Sequence, residues 1–164
     1  MKRRGFFDNL KYEGKLELVE PSEDIYESYI EKSDNCLKSA KILLSNSLYE
    51  NSVSMSYYAM YNALTALLFK IGIKCENHSG SILAFKKLFE RYDLFKIISS
   101  AKKERIDTQY YLASKEDALG KKSVENLFSD AEKFSVQIKL IAKNLKTSDI
   151  DILHEKFNSI LSVL

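Results

Sequence analysis

Proline occurs once in 164 residues, glycine five times and tryptophan not at all. So few chain breakers leave long uninterrupted segments, the pattern of a helical protein. The two cysteines, Cys36 and Cys75, stand far apart with no CxxC pair, which excludes a disulfide framework and the usual spacing of a zinc site. Both read as small buried hydrophobes in a reducing compartment. His78 and His154 are the only histidines, too few for most metal centres. An excess of one charge is also missing: 25 Lys and Arg face 23 acids, for a net charge of +2. That excludes the bulk footprint of a dedicated nucleic-acid binder, so any phosphate contact must be local. The longest apolar stretch, residues 63–73, is interrupted by Thr65, Lys70 and Gly72 and is too short to cross a bilayer. The N-terminal MKRRGFFDNLKYEGK lacks the apolar middle of a signal peptide. A cytoplasmic protein without a membrane partner is expected. There is no GxSxG, P-loop or GxGxxG, and no cofactor is expected.

What the chain does have is 45% hydrophobic residues, with ten Tyr and nine Phe, enough for one sizeable core. Apolar residues recur at intervals of three and four along most of its length. A first helix is predicted over residues 23–46, opened by Ser22 as cap, with Tyr26, Ile30, Leu37, Ala40 and Leu44 on its buried face. A second runs over 49–71 and is stopped by Gly72; its second row, Met55, Tyr58, Tyr61 and Thr65, leaves it no wet side. It is expected at the centre of the fold or in a subunit interface. Asn77 or Ser79 caps a third helix over 81–91, and further helices are predicted over 93–112, 123–145 and 149–164. Only residues 15–19 alternate like a strand, without an evident partner. The expected fold is an all-α antiparallel helical bundle: residues 1–20 an extension, 21–145 the bundle, 146–164 an amphipathic C-terminal helix. The continuous stripe of that last helix needs a cover, and a subunit groove is one candidate.

Charge is uneven along the chain. Residues 70–105 carry nine Lys or Arg against four acids, whereas residues 21–69 carry three against six. Lys86, Lys87, Arg91, Lys96, Lys102, Lys103 and Arg105 are therefore candidates for phosphate contact, set against the simpler reading of a solvated helix face. Arg105 stands apart, because the progression 94, 97, 98, 101, 105 puts a guanidinium on the buried stripe, where an unpaired charge is costly. It is either a structural arginine at a helix or subunit interface or a ligand for a phosphate group. Tyr58, Tyr61, Asp107, Tyr110 and Tyr111 are its nearest company by spacing. His78 and Ser79 sit at a helix entrance, where a structural hydrogen bond is the plain explanation for the histidine.

Three segments together, SLYENSVSMSYYAMYNA (47–63), NHSG (77–80) and RIDTQY (105–110), resemble the small prokaryotic HEPN-domain proteins, and the likeness extends over about residues 11–145. The resemblance implies a bundle that dimerises through its central helices and takes RNA or nucleotide as ligand. Active members carry an Arg followed after four to six residues by a His, and cleave RNA without metal at a site shared across the dimer. Arg105 matches the Arg, but Tyr110, Tyr111 and Leu112 occupy the positions open to the His. A phenol titrates near 10, so only about one part in a thousand is ionised at pH 7. Acid–base assistance worth roughly a hundred- to ten-thousand-fold is thereby lost. Tyr110 retains the capacity to hydrogen-bond a phosphate beside Arg105. The reading is thus an RNA- or nucleotide-binding homodimer, with Arg105, Tyr58, Tyr61, Lys102, Lys103 and Tyr111 at the phosphate. A metal-independent endoribonuclease relying on Arg105 and Tyr110 is the alternative. The resemblance further implies a toxin-antitoxin system, a minimal nucleotidyltransferase as partner, and Tyr110 or Tyr111 as an acceptor of nucleotide transfer.

Overall fold

The computed structural model describes residues 5–110 and 120–162. Seven helices and two short strands follow in the order α1 (Phe6–Tyr12), β1 (Leu16–Leu18), α2 (Glu23–Ser45), α3 (Tyr49–Lys70), β2 (Ile73–Cys75), α4 (His78–Phe89), α5 (Tyr92–Tyr110), α6 (Lys121–Asn144) and α7 (Thr147–Ser162). The all-α bundle is as the sequence predicts, and no described helix is long and apolar enough to cross a membrane.

The absence of a wet side on α3 determines the architecture. Val53, Tyr57, Met60, Leu64, Leu67 and Leu68 are all buried, and α2, α4, α5 and α6 each pack against this helix. Small hydroxyl residues let the helices approach closely, and two of them satisfy their polar groups across the contacts, whereas the buried Ser56 Oγ of α3 finds no partner among the described residues. Ser33 Oγ donates to the Ala59 carbonyl at 2.7 Å and lies 3.4 Å from Ser135 Oγ, tying α2, α3 and α6 together. Ser52 Oγ donates to the Ala40 carbonyl at 2.8 Å. Each such buried hydroxyl needs its acceptor, because desolvating it unpaired is unfavourable.

The strand predicted over residues 15–19 finds its partner in β2. The two pair antiparallel with Leu16 opposite Cys75, Glu17 opposite Lys74 and Leu18 opposite Ile73. Ile-Lys-Cys is too short to reveal an alternation, so periodicity could not announce it. Gly72 makes the ribbon possible: its φ is +75°, and a Cβ there would lie 2.4 Å from the Val19 carbonyl oxygen. The segment ahead of residue 21 joins the core through Phe7, Leu10 and Leu16.

Helix α4 begins three residues earlier than its apolar stripe suggested. Asn77 is the cap, its Oδ1 accepting from the Gly80 N–H at 2.8 Å, so His78 and Ser79 lie in the first helical turn rather than in a loop. The stripe of α7 is covered within the chain: Leu153 and Phe157 are buried in the core, His154 hydrogen-bonds the Ile71 carbonyl, and Lys156 reaches the Leu88 carbonyl at 3.2 Å. The end of α3 and helix α4 thus supply the cover for which a subunit groove had been a candidate.

Candidate functional site

One turn of α3 puts three phenols side by side. Tyr57 and Tyr61, four residues apart, share a face and stack with ring centroids 6.2 Å apart, while Tyr58 points to the adjacent face. The first turn of α4 brings His78 onto this surface. Its imidazole stacks on Tyr61 at 3.8 Å with 13° between the planes, and its Nδ1 lies 2.7 Å from the Tyr57 hydroxyl.

Helix α5 supplies the cation. Arg105 Nη1 donates to the Tyr58 hydroxyl at 2.9 Å, and its guanidinium carbon lies 5.3 Å from the ring centres of both Tyr57 and Tyr58. Aromatic faces stabilise the charge there. No carboxylate among the described residues pairs with it, and Asp107 on the same helix is exposed. The buried Arg105 Nε has no hydrogen-bond partner among the described residues. One turn earlier on α5, Lys102 donates to Ser79 Oγ, and Lys103 beside it is exposed.

These neighbours bias every titratable group in the cluster. Burial, and then the charges of Arg105 and Lys102, push the His78 imidazole below its ordinary value, so it is neutral at pH 7. Burial raises Tyr57 strongly and Tyr61 as well, keeping both phenols protonated. The result is a fixed guanidinium, a neutral imidazole and a lysine on a wall of neutral hydroxyls. Such a constellation attracts an anion and offers it charge-assisted donors.

The residues singled out from sequence separate clearly. Arg105, Tyr58, Tyr61, His78, Ser79 and Lys102 converge; Lys103 lies on the rim. Lys86 is instead engaged over the Phe95 ring at 4.5 Å, and Arg91 pairs with Asp93 at 2.7 Å. Tyr110 is the last residue of α5, but its side chain lies outside the described residues, as does Tyr111 altogether. Tyr57, a fully buried residue of α3 that the sequence did not single out, is the link that sequence reasoning missed. A cavity of about 580 Å³ between α2, α3 and the end of α5 is lined by Ser39, Asn51, Ser54 and Thr108 with Glu50 as its charged group, and has none of these cations.

An all-helical bundle with an arginine–tyrosine–histidine cluster across its central helix defines the class, and the sequence comparisons supply the family. The HEPN domain model matches residues 26–141, and the chain belongs to the HEPN family. A "UPF0332 protein" of Thermotoga maritima is 36% identical over 67 residues, covering 41% of this chain and 51% of its own. The chain spans about half the length of the UPF0332 relatives it matches. Two proteins of Methanocaldococcus jannaschii match more broadly. "Putative toxin MJ0605" is 31% identical over 73% of this chain and 90% of its own, and "Putative toxin MJ0142" is 31% identical over 76% and 88% respectively.

Proposed function

We propose that the chain is a cytosolic HEPN protein of toxin type that binds the phosphate of RNA or of a nucleotide at the Arg105 cluster. The observation that carries this reading is a partly buried guanidinium with no carboxylate partner among the described residues and an unused Nε–H, flanked by Lys102 and Lys103. A structural arginine is normally paired, because an unpaired interior charge is destabilising. The names of the two Methanocaldococcus jannaschii relatives support the toxin assignment. Homodimerisation, placement of the site in a dimer groove, and partnership with a minimal nucleotidyltransferase follow from the family resemblance and belong to the same proposal. Fluorescence anisotropy with a labelled single-stranded RNA, chelator present, tests the binding. Arg105→Ala is expected to weaken it about ten- to a hundredfold, the worth of a charge-assisted hydrogen bond. Equal affinities for wild type and variant would overturn the reading.

A second reading, metal-independent endoribonucleolysis, is favoured by one observation: a histidine from α4 lies in the Arg105 cluster although none stands four to six residues after Arg105. His78 Nδ1 is engaged with Tyr57, and no described residue bonds its Nε2. RNA incubated with chelator should then be cut by the wild type and spared by both Arg105→Ala and His78→Gln, all prepared identically. Intact RNA in every reaction leaves binding as the function.

A further inference from the structure

Immediately beside the cluster, α4 and α5 diverge to leave a cleft of about 380 Å³. Its walls are Ile82, Leu83, Phe95 and Ile106, and Ile82 is almost fully buried. Its polar groups are Ser79, Ser99, Lys102 and Lys103, and no acid among the described residues lines it. The size lies within the usual range of small-ligand sites, roughly 300–1,000 Å³.

We propose that this cleft receives an unpaired nucleobase whose phosphate lies at Arg105 and Lys102. The inference rests on the phosphate reading above and adds to it the part of the ligand that the site recognises. Continuity is the first argument. Ser79 lines the cleft, follows His78 in the chain and accepts the Lys102 hydrogen bond, so the polar end of the cleft is the rim of the cationic cluster. Charge is the second. Two lysines, with no acid among the described residues, select an anionic ligand, while the apolar walls select one whose uncharged part is worth removing from water. A nucleotide joins a phosphate to a flat, largely apolar ring. Phe95 offers an aromatic surface for the ring, and base–aromatic contact is tolerant of base identity. The Ser79 and Ser99 hydroxyls supply hydrogen-bond partners for the polar base edge, which an apolar slot alone would leave unsatisfied.

Calorimetric titration of the full chain with AMP, ribose 5-phosphate and hexyl phosphate tests this. Wild type should bind AMP about tenfold or more tightly than ribose 5-phosphate, the base making the difference. Ser99→Phe, which fills the cleft from a partly exposed position, should abolish that advantage while leaving ribose 5-phosphate affinity unchanged. Phe95→Ala should reduce it in the same direction. Arg105→Ala should instead weaken both ligands together. Equal binding of AMP and ribose 5-phosphate by wild type would overturn the base cleft and spare the phosphate site. Hexyl phosphate matching AMP would also overturn it, since any apolar group would then serve. Failure of all three ligands and of RNA to bind would remove the phosphate reading itself.

Discussion

Arg105 shows how one residue can be legible in sequence while its company is not. Its place on an apolar stripe marks it as anomalous, because the helical period alone carries a charge inward. Nothing in the spacing says that residues 57, 58 and 78 surround it, since those distances close only when three helices pack. The same packing makes His78 a sensitive reporter. Arg105, Lys102 and the phenols of Tyr57, Tyr58 and Tyr61 face it, and burial followed by the two cations holds its pKa below 6.5. The unfolded chain therefore binds a proton that the folded state refuses between the lowered value and 6.5. Stability should be unaffected by this group above 6.5 and fall as pH drops through that window. NMR titration of the His78 ring should give a value under 6.5, and His78→Gln should flatten the acid side of the thermal-stability profile. A ring titrating at 6.5 or above would mean that the cations do not reach it.

Among the elements, α3 was the easiest to foresee, because a helix apolar on every face has nowhere to go but the middle. The start of α4 was harder, for Asn77 and Ser79 are both competent caps and only the hydrogen bond to Gly80 decides between them. The β1–β2 ribbon was half visible, its second strand being three residues long. Its weak point is Gly72. Both Gly14 and Gly72 have positive φ, +69° and +75°, but a Cβ at Gly14 meets nothing within 4 Å whereas one at Gly72 meets the Val19 carbonyl. Gly14→Ala should cost about 1 kcal/mol from backbone conformation alone. Gly72→Ala should cost at least about 2 kcal/mol, because the clash is with backbone and φ is strained as well. Urea unfolding of the two variants compares them directly, and equal losses would mean that the ribbon yields without resistance.

Across the whole molecule, the C-terminal helix is part of the cooperative core through Leu153 and Phe157. Phe157→Ala should lower unfolding free energy by about 3–5 kcal/mol, the range for a fully buried phenyl ring. Removing residues 147–164 should uncover the apolar surface of α4, read as increased binding of a hydrophobic dye and a lower melting temperature. A truncated chain that melts like the full one would show that α7 is an appendage. By itself the sequence determined the all-α class, the central position of α3, the extents of most helices and the suspicion attached to Arg105. Periodicity, caps and the scarcity of breakers are local properties, and local properties can be read in order along a chain. The tertiary structure alone decided that Tyr57 is a link as well as core, that His78 lies with Arg105, and that α7 is covered by its own chain. Each of these is a meeting of segments distant in sequence, settled by which apolar faces bury one another and not by any residue's neighbours along the chain.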